Sequence, residues 1–201
     1  LIMCFLRHLP GDAAVATWEE AMPFVDQVIG VGLDSGEVGN PPEQFADAYR
    51  LAREAGLHAV AHAGEEGPPA YIIGALDALG AERIDHGVRC TDDPVLVERL
   101  SGEGIPLTMC PLSNLKLRVV DQLTDHNLKE LLDRGVLVTV NSDDPAYFGG
   151  YVLDNYVAIA EALSLSRDDL VTLAGNSIRA AFLTDEEKAV LLGELDAVAR
   201  G

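Results

Sequence analysis

Short apolar runs alternate with amphipathic segments along most of this chain. The apolar runs predict six strands, over residues 1–6, 25–33, 57–62, 82–86, 105–110 and 136–142. Most of them are nearly continuous apolar stretches rather than an alternation of apolar and polar positions. That pattern is typical of parallel strands buried on both faces.

Between the predicted strands, apolar residues recur at helical spacing. Segment 42–55 places Phe45, Tyr49 and Ala52 on one face, and segments 69–79 and 126–134 show the same periodicity. Each of the three segments is followed by a glycine, which commonly ends a helix. These segments are therefore predicted to be helices.

Helix start signals support the same division of the chain. Asp93-Pro94 provides an N-cap and a proline for the first turn. After the last strand the pattern predicts helices only. Capping boxes begin two of these helices, from Ser166 to Asp169 and from Thr184 to Glu187.

Repeated strand–helix alternation predicts right-handed crossovers and an α/β fold with a parallel sheet. An open doubly wound sheet and a (β/α)8 barrel of the TIM type both fit. The barrel is favoured because polar clusters follow several strands, and such barrels build their active sites at the carboxyl ends of strands. We expect residues 1–201 to form a single domain.

The predicted strands are too few for a closed barrel. Six are predicted, whereas this type of barrel has eight, and the chain begins at Leu1 inside an apolar run. We therefore expect that about two strand–helix units precede this sequence, and that it is the C-terminal portion of a barrel.

Composition narrows the classes of partner. The formal net charge of −19 excludes nucleic-acid binding through a general basic surface. No segment is long enough to span a membrane.

The cysteines Cys4, Cys90 and Cys110 are widely spaced, which indicates a reducing cytoplasm. Cys4 and Cys110 are interpreted as small buried packing residues.

The first chemical cluster is His62-Ala63-Gly64-Glu65, at the end of the predicted strand 57–62. A single histidine at a strand end is most often structural. Here small residues leave room for a ligand, and a carboxylate follows three positions later. His62 is therefore a candidate metal ligand and Glu65 a candidate proton carrier.

A second cluster ends the next strand, where His86 follows Ile84-Asp85 and precedes Gly87. The structural alternative is a core histidine that donates to a carbonyl group. Because it ends the strand after that of His62, His86 is also placed to act on a metal-bound water.

A third cluster, Asp143-Asp144-Pro145, follows the apolar strand 136–142. Adjacent acids before a proline are most often a solvated turn. At the end of a buried strand, however, two carboxylates cost free energy unless a cation or hydrogen-bond donors compensate them. Asp143 is thus a second candidate metal ligand, and Asp144 a candidate acceptor for a substrate hydrogen bond.

Two further loops are weaker candidates. Residues 30–37 contain glycines after a strand, but they lack the spacing of a nucleotide-binding loop and contain acids. A pocket wall that offers backbone donors is the preferred interpretation. The loop after Cys110 ends another strand, and no histidine can be placed beside that thiol from sequence.

Together these clusters resemble the adenosine/adenine deaminase family of metal-dependent barrels. The motifs of residues 62–65, 83–87 and 141–145 match in order and spacing, and the resemblance covers essentially the whole chain. Residues 110–119, residues 143–151, and residues 33–37 followed by Pro41-Pro42 resemble the adenine deaminase branch.

The resemblance implies zinc-dependent conversion of adenine to hypoxanthine and ammonia, a step of purine salvage. It implies that His62 and Asp143 ligate zinc, and that Glu65 protonates N1 of the purine. His86 would orient the attacking water and help to deprotonate it. Asp144 would bind N7, and the loop around Ser35 and Gly36 would hold the N3 side.

The family also uses a His-x-His pair as two further zinc ligands, and this sequence contains none. We expect that pair upstream, and expect these 201 residues alone to be inactive because a catalytic zinc site needs at least three protein ligands. Iron or manganese could use the same ligands.

The alternative functions are an adenosine or N6-substituted aminopurine deaminase and, in another class, an inactive binding or scaffold protein on the same fold. The intact Glu65, His86 and Asp143-Asp144 argue against the latter.

Overall fold

The computed structural model describes residues 1–200, which divide into two compact units. The first unit is Leu1–Leu96, and the second begins at Val97. The prediction of one domain over 1–201 stays a prediction. Within the described residues, no helix combines the length and apolar character needed to cross a bilayer.

The first unit alternates strands with helices. Its strands are β1 Ile2–Leu6, β2 Gly30–Asp34, β3 His58–Ala63 and β4 Arg83–His86. Its helices are α1 Gly11–Ala21, α2 Ala46–Glu54, α3 Pro69–Gly74 and the start of α4 Pro94–Glu103. Shorter helical turns cover Met22–Gln27, Pro42–Phe45, Ala75–Leu79 and Val88–Asp92.

The four strands of this unit pair in sequence order, and every pairing is parallel. Leu6 lies beside Asp34, His62 beside Asp85, and Ala63 beside His86. Because the register aligns the carboxyl ends of the strands, the residues that follow them emerge at one edge of the sheet.

Helices cover one face of this sheet through aromatic contacts. Phe5 of β1 meets the ring of Tyr49 edge-on, with 5.8 Å between the ring centroids. The buried Tyr49 hydroxyl donates to the carbonyl of Val60 in β3, at 2.7 Å. Phe45, Tyr49 and Ala52 are all fully buried, which confirms the predicted inner face of the 42–55 segment.

The second unit contains two short parallel strands and most of the helices. The strands are β5 Leu107–Met109 and β6 Val138–Val140, with Met109 beside Val140. The helices after α4 are α5 Pro111–Lys116, α6 Leu128–Asp133, α7 Pro145–Phe148, α8 Val152–Leu163, α9 Arg167–Arg179 and α10 Asp185–Arg200. A helical turn covers Leu123–Asp125. Asn176 of α9 donates to the carbonyl of Val138 at 3.0 Å, which ties this helix to β6.

All six predicted strands are present, and the largest error in a boundary is at the start of the second strand. The strand predicted over 25–33 begins only at Gly30, because Met22–Gln27 forms a 3-10 helix. Pro23 lies in the first turn of that helix, where its fixed φ favours a turn over a strand. The apolar residues at 24 and 25 therefore belong to a helical turn.

Candidate active site

The predicted site residues fall in both units. Five lie in the first unit, at or just beyond the carboxyl ends of β2, β3 and β4: Ser35, Gly36, His62, Glu65 and His86. Asp143 and Asp144 lie in the second unit, after β6.

His62 is held by a carbonyl and a carboxylate at one of its ring nitrogens. Its Nδ1 lies 3.1 Å from the Leu33 carbonyl oxygen and 3.0 Å from Oδ1 of Asp34. Histidines that ligate metals usually donate their other N–H to such an oxygen. With the proton on Nδ1, the lone pair is on Nε2, so the residues around His62 fit a metal ligand.

The charge around His62 is negative. Burial disfavours its protonated form, but the Asp34 contact and the charges of Asp85, Asp34 and Glu65 outweigh burial and raise the His62 pKa to about 9. Burial likewise opposes ionisation of Asp34, yet the contact with His62 lowers the pKa of that carboxyl. The field that favours a proton on His62 also favours a divalent cation beside it.

His86 and Glu65 are brought together beside His62. Nδ1 of His86 lies 3.3 Å from Oε1 of Glu65, and the ring centroids of His86 and His62 are 4.9 Å apart. Burial, assisted by the charge of His62, lowers the His86 pKa to about 3, so His86 is neutral at neutral pH. A neutral imidazole with its proton on Nδ1 can donate to Glu65 and keep Nε2 as a base.

Three predicted site residues have a left-handed backbone. Ser35, His86 and Asp143 have φ values of 82°, 65° and 55°. Within residues 1–200, the other non-glycine residues with positive φ are Arg118 and Ser164. Conformations of this kind cost about 1–3 kcal/mol each and cluster at functional sites.

Ser35 and Gly36 lie at the exposed end of β2. The Ser35 hydroxyl is 2.6 Å from Nδ1 of His8, and the Gly36 carbonyl accepts from the Asn40 side chain at 2.9 Å. A Cβ built on Gly36 would meet no atom within 4 Å, so packing does not require glycine at this position.

In the second unit, Asp143 has a buried partner that sequence reasoning missed. The fully buried Ser113 of α5 donates its hydroxyl to Oδ2 of Asp143 at 2.7 Å. Asp144 is exposed and precedes α7, where its carbonyl accepts from the backbone of Tyr147. Asp144 therefore offers its side chain to solvent or a ligand.

The remaining histidines and cysteines clarify which groups are structural. His126 is buried, with Nε2 3.2 Å from the Asn114 side-chain oxygen and Nδ1 accepting from Leu128 N. His58 is partly exposed beside Glu82.

Cys110 is buried as predicted, but the prediction for Cys4 was wrong because its side chain is exposed. Neighbours along a strand face opposite sides of the sheet, so Cys4 faces away from the helices that cover Phe5.

Four residues with evident local roles were not singled out from sequence: Arg7, Asp34, Glu37 and Ser113. Two of them carried the signal that identified His62, a polar residue at the end of an apolar run. Asp34 ends β2, and Arg7 follows β1 directly.

A known protein family matches nearly the whole chain. The family model described as Adenosine deaminase matches residues 1–198. An adenine deaminase of Hahella chejuensis is 58% identical over 196 residues, which cover 98% of this chain and 59% of the relative.

Solved structures are similar along the entire chain. The crystal structure of adenine deaminase from Arthrobacter aurescens is 52% identical with a TM-score of 0.97, and the match covers 100% of this chain and 62% of that one. An amidohydrolase from Burkholderia ambifaria, solved with bound Zn, is 30% identical with a TM-score of 0.92, covering 100% and 56%. These matches confirm the predicted α/β fold of the (β/α)8 barrel type, of which residues 1–200 contain six strands.

The chain spans about three fifths of the length of these proteins, at 59%, 62% and 56%. The family match nevertheless extends over nearly all of its residues. The clusters around His62, His86 and Asp143 are those that the family resemblance identified. The chain belongs to the adenosine deaminase family.

Proposed function

We propose that the protein carrying this chain is an adenine deaminase, which hydrolyses adenine to hypoxanthine and ammonia in purine salvage. The observation that carries the proposal is the contact between His86 and Glu65 beside His62, in a chain of this family. Its similarity to proteins named adenine deaminase, at 58% and 52% identity, favours adenine over other aminopurines.

We propose His62 and Asp143 as zinc ligands. The Nδ1 contacts of His62 and the Ser113 hydrogen bond of Asp143 support the assignment, because outer partners of this kind orient metal ligands. The structure with bound Zn supports the choice of metal. When bound, zinc lowers the pKa of a coordinated water and so supplies a nucleophile at neutral pH.

The chain's own residues would move the protons. The Glu65 carboxyl would give a proton to N1 of adenine, which makes the neighbouring C6 electrophilic. Its Oε1 faces His86, so the other oxygen would hold the proton for N1. His86, kept neutral by burial, would accept a proton from water through Nε2. Water adds at C6, and the proton that His86 accepted would pass to the amino group. The C6–amino bond then breaks, ammonia leaves, and the C6 hydroxyl proton would return to Glu65.

The remaining predicted residues would bind the purine. Asp144, exposed after β6, would bind the N7 side, and the Ser35 hydroxyl with the Gly36 backbone would hold the N3 side. The wide spacing of the three cysteines supports a place in the reducing cytoplasm.

The direct test is ammonia release from purified protein expressed from its complete gene. We expect release from adenine but not from adenosine, zinc in the purified protein, and a large loss of kcat in Glu65→Gln. Loss of a general acid–base group typically costs about 10²–10⁴-fold. Preference for adenosine or an N6-substituted aminopurine would support the alternative deaminase. Absence of both bound metal and ammonia release would support an inactive binding protein.

A further inference from the structure

The carboxylate of Glu37 lies buried beneath the loop that carries Glu65. It is 4% exposed, and it accepts hydrogen bonds from four consecutive backbone N–H groups. Gly64 donates to Oε1 at 2.5 Å, and the next three residues donate to Oε2 at 2.9–3.0 Å. One side chain from the loop after β2 thus fixes the backbone of residues 64–67.

The sequence of this loop is adapted to that close approach. Gly64 has φ of 71°, a conformation that side chains disfavour, and a Cβ there would meet Ile72 at 2.4 Å. A Cβ on Gly67 would lie 2.7 Å from Oε1 of Glu37. Glycine at both positions lets successive amides converge on one anion.

Arg7 holds the same segment at its beginning. Its side chain is buried, and Nη1 donates to the His62 carbonyl at 2.7 Å. Its Nε and Nη2 donate to the carbonyl of Asn40, at 3.0 and 2.8 Å, in the loop that contains Glu37. Two buried groups of opposite charge therefore fix the backbone from His62 to Gly67.

We propose that Glu37 is a positioning residue, which sets the backbone of Glu65 so that its carboxyl group reaches His86 and the substrate. This inference rests on the proposed deaminase function. The backbone N–H of Glu65 donates to the Glu37 carboxylate, and Oε1 of Glu65 lies 3.3 Å from Nδ1 of His86. Proton transfer needs geometry within about 0.5 Å, which a loop reaches only when its backbone is held.

The decisive variant is Glu37→Gln, tested in protein expressed from its complete gene. Glutamine keeps the volume but replaces one acceptor oxygen with an NH₂ group that cannot accept from the amides. Glu37→Asp keeps the charge and shortens the reach by a methylene. Glu54→Gln, on the exposed surface of α2, removes the same charge away from the site and serves as the control.

We expect kcat on adenine to fall about 10- to 100-fold in Glu37→Gln, an effect as large as that of removing the hydrogen-bond partners that orient metal ligands. KM and zinc content should stay close to those of the parent protein, Glu37→Asp should recover part of the loss, and Glu54→Gln should match the parent. Amide hydrogen exchange at residues 64–67 should be faster in Glu37→Gln.

A folded Glu37→Gln protein with unchanged kcat, or with its loss confined to KM, would overturn the inference. If Glu37→Gln does not fold, unchanged kcat in Glu37→Asp overturns it instead. If the parent protein deaminates no purine, the proposed function fails. Exchange at residues 64–67 then decides the positioning claim, and unaltered protection in Glu37→Gln would overturn it.

Discussion

Single residues with a left-handed backbone mark the predicted site. Ser35, His86 and Asp143 adopt positive φ although each has a Cβ. Their side chains are the ones to which the family resemblance assigns substrate, proton and metal. The strained backbone directs these side chains. Relieving the strain at these positions should therefore raise the free energy of unfolding but lower activity.

Serine-to-glycine substitutions test this separation. Ser164→Gly, at the left-handed C-cap of α8, should raise the free energy of unfolding by about 1 kcal/mol and leave activity unchanged. Ser35→Gly relieves a similar strain but removes a hydroxyl proposed to contact the purine, so KM for adenine should rise. Urea denaturation and steady-state kinetics measure both effects. Unaltered KM in Ser35→Gly would remove Ser35 from the binding site.

Ser113→Ala tests the support of a proposed metal ligand. Without the Ser113 hydroxyl, Asp143 loses a hydrogen bond of 2.7 Å that orients its carboxylate. We expect zinc affinity to fall about 10- to 100-fold, as measured by competition with a chelator. The control is Ser101→Ala, which removes a hydroxyl bonded to the Arg134 carbonyl in the same unit. Equal zinc affinity in both variants would contradict the assignment of Asp143.

At the scale of elements, local signals were accurate wherever neighbouring residues decide the structure. Both predicted capping boxes are present, because a box needs only residues three positions apart. Asp93 caps α4 as expected, accepting from Val95 N. By contrast, the strand predicted over 25–33 was wrong at its start, since apolar character there did not distinguish a strand from a 3-10 turn.

The candidate site divides in the same way. His62, Glu65 and His86 were found because each lies at or just beyond the end of an apolar strand. The role of Glu37 depends on bonds to residues 27–30 positions away, and Arg7 bonds a carbonyl 55 positions away. Nothing local in the sequence specifies such contacts, since they follow from the parallel register of β1, β2 and β3.

The N-cap of α9 provides a prediction for this scale. Ser166→Ala removes the hydroxyl that accepts from Asp169 N, and should lower the free energy of unfolding by about 1 kcal/mol. Thr172→Ala, in the same helix, removes a hydroxyl that bonds the Asp168 carbonyl, and should be neutral or slightly stabilising. Chemical denaturation compares the two. A cost as large for Thr172→Ala would show that the effect is not one of capping.

For the whole molecule, the net charge of −19 makes stability sensitive to pH. Most of the acids are on the surface, where water and salt screen them. His126 differs because burial lowers its pKa from 6.5 to about 4. The folded protein therefore favours its neutral form, while the unfolded chain protonates it more readily.

Stability should consequently fall as the pH drops from about 6.5 to 4, the interval between the unfolded and folded pKa values of His126. The difference between these two pKa values corresponds to a loss of about 3 kcal/mol in the free energy of unfolding once His126 is protonated in both states. His126→Gln should be less stable at neutral pH but should show a shallower decline in urea denaturation across this interval. A parent slope preserved in His126→Gln would contradict the assignment.

The four amides gathered around Glu37 have a consequence for substrate choice. Converging N–H groups are what many proteins use to cradle a phosphate. Here the buried Glu37 carboxylate already accepts from all four N–H groups, so these groups are not available to a nucleotide's phosphate. In the proposed deaminase, we therefore expect this loop to give a phosphorylated purine no advantage over the free base.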